Sequence, residues 1–583
     1  MTAAPPDRPA PGDGRLRRLA ALTAASLAFA AVFCWPLFGS LGEVGVQRDW
    51  DQHLAFHWVP FATVTQYAQI PLWNPFLCGG MPMLGNPQSR WLTPFFVLHL
   101  WGGPELGLEL EIIAHIALAW LGAFLLGRTC GLSRLAALAP ATAFAGSSYH
   151  YLHLAEGHLT WLPFAYMPWI LAAASSNRPL LAGAGLALAI GEGGVYPATY
   201  TGLALGVLAL YGSLAGRSAR PLAHLGATGA MAACLAAPKL LLVLPLLARN
   251  PRLTAAREHT SLDVLVQALV GRGTSVPPGY DYGFHEYGAY VGPIFLLLAM
   301  YGASAWTLKR RTAPWLILFG LGLVLSFGGA LGGESSPWAL LHRLPLFASL
   351  RAPSRFLVLS VLAVGMLAGF GVDRLAREDR GRRRAAAVAL LLTAAADLAL
   401  MGPPHLQNVF ATSGTSLQRS ESFVQLDDED NRRTYAIARA NMGALNCYEP
   451  LQPTVAPIGI NEPGYRGEQY LLAGGRVSRV EWSPHRLTYE TSSDGPNTLV
   501  INANFDRSWQ VVAGRGRTFD YGGLLAVEIP PGPQRLSVAY RSTRFTLGVM
   551  LALGALVFAS LATRSRWRSV RARLAASTRS VFV

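Results

Sequence analysis

Arg48-Asp49-Trp50-Asp51-Gln52-His53 follows an apolar run from Leu19 to Leu37 that is preceded by Arg15, Arg17 and Arg18. About 20 apolar residues suffice to span a bilayer. No small-residue cleavage site precedes the acidic cluster, so the run reads as a retained first helix rather than a signal peptide. Ionisable groups at a membrane boundary are costly unless hydrated, paired or used. Here they open a loop rich in Trp, Pro, Gly and Asn, and that placement organises the reading of the remaining chain.

The chain has 583 residues, 52% hydrophobic and 14% charged, with a mean hydropathy of +0.31. Soluble domains carry about 25% charged residues, so the composition indicates a polytopic membrane protein. The net charge of +15 does not point to nucleic acid, because the basic residues collect in short segments between apolar runs. Further runs lie near Leu106–Leu126, Leu135–Phe144, Leu159–Ala174, Leu180–Ile190, Thr199–Leu214, Leu222–Leu247, Tyr290–Trp306, Pro314–Ala330, Phe356–Gly371, Ala385–Met401 and Phe545–Ala562. With the first, this predicts about 12 transmembrane helices. The basic connections alternate with these runs and set both termini in the cytoplasm by the positive-inside rule. The segments 42–105, 146–160, 192–198, 249–289, 331–355 and 402–544 then face outward. The predicted organisation is a cytoplasmic tail (1–18), a transmembrane bundle with outer loops (19–401), an extracytoplasmic, mostly β domain (402–544), a final helix (545–563) and a basic cytoplasmic tail (564–583).

Within 402–544, a polar, irregular Gln407–Asn431 gives way to alternating runs at Arg486–Glu490, Thr498–Ala503, Ser508–Val512, Leu524–Ile529 and Arg535–Tyr540. Apolar residues at every second position, bounded by Asp494-Gly495-Pro496, Gly514 and Pro530-Pro531-Gly532, predict half-buried antiparallel strands forming a small β-sandwich. The five cysteines show no CxxC spacing. Cys78 and Cys447 share the outer side, but their spacing does not show that they meet, and two unpaired thiols are expected.

Asp49 and Asp51 are one residue apart. In an extended segment they point the same way, suited to sharing a divalent cation, or to one serving as general base. His53 and His57 follow at helical spacing. Pro71-Leu72-Trp73-Asn74-Pro75 and Asn86-Pro87-Gln88-Ser89 offer rigid aromatic and amide groups of the kind that stack on and hydrogen-bond a sugar. A packed loop without a ligand is the plainer reading of the same residues. Tyr149-His150-Tyr151, His153, Glu156 and His158 suit either a metal or an ordinary helix end. Arg351 and Arg355 sit at i, i+4. A helix start there presents both guanidinium groups to a phosphate, against the alternative of snorkelling anchors. His285-Glu286-Tyr287 with Tyr290, and Arg257-Glu258-His259, are candidates to complete that pocket.

These residues resemble the bacterial YfhO-like membrane protein family, within the GT-C class of integral membrane glycosyltransferases. The resemblance rests on Asp49 with Gln52-His53, Pro71 to Pro75, Gly80-Met81-Pro82, Gln88-Ser89, Gly157-His158 with Trp161-Leu162-Pro163, and Glu286 with Tyr290-Val291-Gly292. Phe347 with Arg351 to Phe356, and Asn504-Phe505 to Trp509-Gln510, extend it over most of the chain. It implies transfer of a sugar from a polyprenyl-phosphate donor to a cell-envelope glycan or polymer, on the outer face of the bacterial inner membrane. Asp49, with Asp51 second, is implied as base or as ligand of Mg or Mn. Arg351 and Arg355 are expected to bind donor phosphate, and His53, Trp73, Asn74, Gln88, His158, Glu286 and Tyr290 to bind substrate. Gly191-Glu192-Gly193 departs from the expected pattern. The alternatives are a non-catalytic transporter or flippase for lipid-linked glycans, and a scaffold displaying the sandwich. The former calls for charges deep in the bundle, whereas Glu109, Glu111, Lys239 and Asp397 fall near predicted span ends.

Overall fold

The computed structural model describes residues 13–42, 49–250, 254, 256–304, 309–378, 381–407, 409, 417–427, 433–447 and 455–579. Arg48, residues 1–12 of the tail and much of Gln407–Asn431 lie outside them. Apolar helices form a bundle, and an all-antiparallel β-sandwich precedes the last helix.

Among the described residues six helices are long and apolar enough to cross a membrane: Leu16–Phe33, Phe96–Thr129, Val195–Gly216, Pro353–Arg377, Arg382–Leu406 and Thr543–Ala562. Arg220–Leu235 and Ala237–Arg249, bent by 87°, make a seventh if counted as one span. Pro314–Ala330 lies largely in the 18-residue helix Lys309–Ser326, which opens on three basic residues, and the remaining expected runs form shorter elements. Leu159–Ala174 becomes a 3-10 turn, Leu159–Tyr166, followed by the helix Met167–Ser175, because Pro163 and Pro168 each withhold a backbone donor. Pro179–Gly191 and Gly292–Ala303 are apolar but have only 13 and 12 residues. Thr543–Ala562 leaves Met550, Leu553, Val557, Phe558 and Leu561 exposed. Such a surface is stable only in an apolar surrounding, and with the other apolar helices it makes the chain a multi-pass membrane protein.

α1 (Asp13–Phe33) and α2 (Trp50–Tyr67) both pack against α3 (Phe96–Thr129), and α2 starts directly after the acidic Asp49. α3 kinks at Gly103, whose φ of 80° breaks the helical geometry just before Pro104. The kink folds His99 back over Glu111.

The sandwich has two four-stranded sheets. One orders Arg517–Tyr521, Leu524–Ile529, Asn497–Asn504 and Gln469–Leu471; the other orders Arg476–Ser483, Arg486–Ser493, Gly532–Tyr540 and Trp509–Ala513. Alternation places Leu487, Tyr489, Leu499, Ile501, Leu525, Val527, Leu536 and Val538 between them. The strands Gln469–Leu471, Arg476–Ser483 and Arg517–Tyr521 were not apparent in the sequence. Arg476–Ser483 is largely solvent-facing, so alternation there is weak.

The first outer loop is built into this sandwich. Trp73 packs against Trp509 and Tyr540, and its backbone N–H donates to His485 Nε2 at 2.9 Å. The expectation of two free thiols is corrected: Cys78 and Cys447 form a disulfide across a sequence separation of 369. The Ala444 N–H donates to the Phe76 carbonyl at 2.9 Å, and this pairing of the first loop with the segment before the sandwich brings together cysteines whose spacing says nothing of their distance.

Candidate functional site

Helix α2 begins at Trp50, with Asp49 at its N-cap position. The Asp49 N–H donates to the Glu156 carbonyl at 3.1 Å. Gly157 (φ 88°) makes this approach possible, because a Cβ there would lie 2.6 Å from the Trp50 nitrogen. The contact sets His158 beside the helix start, with Nε2 3.4 Å from Asp49 Oδ2. His158 Nδ1 in turn lies 2.9 Å from His153 Nδ1.

The helical start also corrects the paired-carboxylate expectation. Side chains two residues apart on a helix diverge instead of aligning. Asp51 is buried, and its oxygens accept the backbone N–H groups of Tyr435 at 3.0 Å and Thr434 at 2.7 Å. It caps the helix Thr434–Arg439 and fastens the outer domain to α2. The donor set therefore does not fit an Mg or Mn ion shared by Asp49 and Asp51.

Asp49, His53, Gln88, His158, Arg351 and Arg355 all line one cleft, together with Pro87, Thr160, Trp161, Tyr196 and Asn250. Its empty volume is about 920 Å³ counted to the open mouth. The Gln88 side-chain carbonyl is buried there without a hydrogen-bond partner among the described residues. Trp73 and Asn74 do not reach it: Trp73 belongs to the sandwich core, and Asn74 Oδ1 accepts the Phe76 N–H at 3.0 Å. Tyr290 also points elsewhere, its hydroxyl donating to Asp397 Oδ2 at 2.8 Å.

The two arginines are not on one helix face. Ala352 is left-handed (φ 53°) and a 3-10 turn begins at Pro353, so Arg351 stands outside the turn that carries Arg355. Their environments differ sharply. Arg355 Nε donates to Glu286 Oε2 at 2.6 Å and Nη2 to Oε1, and the guanidinium lies 4.6 Å from the Trp161 ring and 4.5 Å from the Tyr196 ring. Burial pushes the Glu286 carboxyl up, but Arg355 outweighs that and holds it well below the usual carboxylate range. Glu286 is thus the counter-ion of Arg355 rather than a cleft-lining group. Arg351 is part-exposed, stands 5.6 Å from the Tyr282 ring and has no ion pair among the described residues. Glu258 steadies its loop by accepting the Ala352 N–H and, at 2.6 Å, the Tyr282 hydroxyl.

Below the cleft lies a buried ionic network that the span-end reading of Glu111 did not anticipate. Arg90 pairs with Glu111 at 2.5 Å, His99 Nε2 lies 2.9 Å from Glu111 Oε2, and His115 Nε2 lies 2.9 Å from Glu192 Oε2. Lys239 Nζ donates to the Ser89 carbonyl at 2.6 Å. The sequence signal was present: charged and imidazole side chains inside apolar stretches are costly unless partnered.

Burial holds His53 down to about 3, an effect Asp49 partly opposes, and holds His150 and His485 down to about 4. All three stay neutral in the fold while the unfolded chain protonates near pH 6.5. Between roughly pH 6.5 and 4 the unfolded state binds more protons, so stability rises with pH and is lost on acidification. Each group contributes up to about 1.4 kcal/mol per pH unit in that window. The thermal midpoint in detergent is expected to fall steeply from pH 6.5 to 4; a flat profile would contradict buried neutral histidines.

No family model and no curated protein matches the chain. Among solved structures, it is similar to the arabinofuranosyltransferase AftD from mycobacteria, with a TM-score of 0.46 and 18% identity over 91% of this chain and 40% of that one. A mutant of AftD gives 0.46 and 18% over 90% and 42%. The chain thus spans about two-fifths of the length of those proteins. At these TM-scores the likeness fixes neither fold nor function.

Proposed function

We propose that the chain is a GT-C type glycosyltransferase that moves a sugar from a polyprenyl-phosphate donor to a cell-envelope acceptor on the outer face of the bacterial inner membrane. The observation that carries this is the meeting of Asp49 and Arg351 in a single cleft. A carboxylate able to take a proton faces an arginine with no ion pair among the described residues. The Cys78–Cys447 disulfide supports an oxidising, outward compartment for the first loop and the sandwich.

In this reading the acceptor hydroxyl gives its proton to Asp49 while its oxygen attacks the anomeric carbon. The bond from that carbon to the phosphate oxygen breaks with inversion, and the lipid phosphate leaves with its new charge met by Arg351. His158 orients Asp49. Gln88 and His53 contact the sugars. Arg355, neutralised by Glu286, shapes the floor with Trp161 and Tyr196 rather than binding phosphate.

Protein reconstituted with labelled polyprenyl-phosphate sugar is expected to transfer label to an envelope glycan acceptor. Arg351→Ala is expected to raise the donor KM at least tenfold, about 1.4 kcal/mol or more. An unchanged donor KM would remove Arg351 from phosphate binding. A second reading, movement of lipid-linked sugar without transfer, is favoured by the ionic network inside the bundle. It predicts donor crossing the vesicle membrane with no labelled product.

A further inference from the structure

His57, His99 and Glu111 form a cluster that the proposed transfer does not use. We propose that they hold a divalent transition-metal ion. The three residues are 3%, 0% and 0% exposed, and their donor atoms all lie within 4.8 Å of one another. Glu111 Oε2 stands 2.9 Å from His99 Nε2 and 3.7 Å from His57 Nε2.

The other nitrogen of His57 fixes its tautomer. Nδ1 lies 2.7 Å from the His53 carbonyl oxygen, which can only accept, so Nδ1 carries the hydrogen. In the neutral ring Nε2 is then a bare lone pair, buried and without a hydrogen-bond partner among the described residues. It faces a carboxylate oxygen in a dry interior, where opposed lone pairs repel. A proton on Nε2 makes an ion pair at 3.7 Å but no hydrogen bond, since that distance exceeds the ~3.2 Å reach of an N–H···O bond. A metal ion bound by both atoms turns the repulsion into coordination. With its hydrogen on Nε2, His99 donates to Glu111 Oε2 at 2.9 Å; Nδ1 has no partner among the described residues, and the tautomer with the hydrogen there leaves Nε2 to the ion.

The surroundings match those of metal sites. His57 donates its remote N–H to a carbonyl, and Arg90 holds the second oxygen of Glu111 at 2.5 Å; such outer partners orient ligands and tune them. Two imidazoles and a carboxylate suit Zn²⁺ or a neighbouring transition metal rather than Mg²⁺ or Ca²⁺. The enclosed position makes the role structural. Asp49, His53 and His57 recur every four residues, on one face of α2, so an ion joining His57 to α3 fixes the rotation that aims Asp49 into the cleft. This site stands independently of the transfer reaction.

The full chain, purified in detergent, stripped by chelator and dialysed against micromolar Zn²⁺, is expected to retain about one Zn²⁺ per chain. The double variant His57→Gln/His99→Gln is expected to retain at least about tenfold less, with an unchanged size-exclusion profile. X-ray absorption at the zinc edge of the unaltered protein should show two imidazole ligands, a readout that does not depend on a variant folding. Retention below about 0.1 equivalent, a spectrum without paired imidazoles, or undiminished binding by a folded double variant would each overturn the site.

Discussion

Asp49→Asn is expected to lower sugar transfer by about 10²- to 10⁴-fold, the range for removing a positioned general base. The amide keeps the size of the side chain and an oxygen that can face His158, 3.4 Å from Asp49 Oδ2, so expression and folding should be preserved. What it lacks is basicity: an amide oxygen cannot take the acceptor proton as the attacking oxygen closes on the anomeric carbon. The measurement is transfer of labelled sugar by purified protein, with the thermal midpoint as a folding check. Undiminished transfer at normal stability would remove Asp49 from the chemistry. Asp51→Asn is the contrasting control. Its loss weakens the cap on Thr434–Arg439, costing about 0.5–2 kcal/mol, and transfer per folded molecule should persist.

Glu286→Gln is expected to be the most destabilising single change in the site. Glu286 and Arg355 are each 2% exposed, and the carboxylate meets the guanidinium through two atoms. Removing one partner leaves a buried, uncompensated charge, at a cost of about 3–5 kcal/mol. The Trp161 and Tyr196 rings flanking Arg355 offset only part of this, since an exposed cation–π contact gives about 0.5–1 kcal/mol and a desolvated one about 2. Replacing both partners by apolar residues (Glu286→Leu with Arg355→Met) should recover most of the loss, because no charge is then stranded. Thermal unfolding in detergent reads both effects. A single variant as stable as the unaltered protein would contradict the claim that this pair holds the cleft floor.

Much of the architecture was legible from local pattern. Runs of apolar residues separated by basic connections marked a multi-pass chain, and alternation marked five of the eight sandwich strands. Length was less legible, because the sequence does not show which apolar runs are cut short by Pro163, Pro168 or a tight bend. Among candidate site residues, Asp49, His53, Gln88, His158, Arg351 and Arg355 do line one cleft. Trp73, Asn74 and Tyr290 rested on residue type and on the resemblance, and neither decides whether a side chain faces a ligand or another domain.

By itself the sequence determined what depends on neighbours along the chain: hydropathy, strand alternation, the acid after the first helix and the turn chemistry of the outer loop. Only the tertiary structure decided which charges meet. It set Glu286 rather than a phosphate against Arg355, spent Asp51 on two distant amides and left Arg351 open. It also joined Cys78 to Cys447 and gathered His57, His99 and Glu111 beneath the cleft. The reason is physical: electrostatic partnership and metal coordination depend on distances of a few ångströms in space, and chain folding sets those distances independently of separation in sequence.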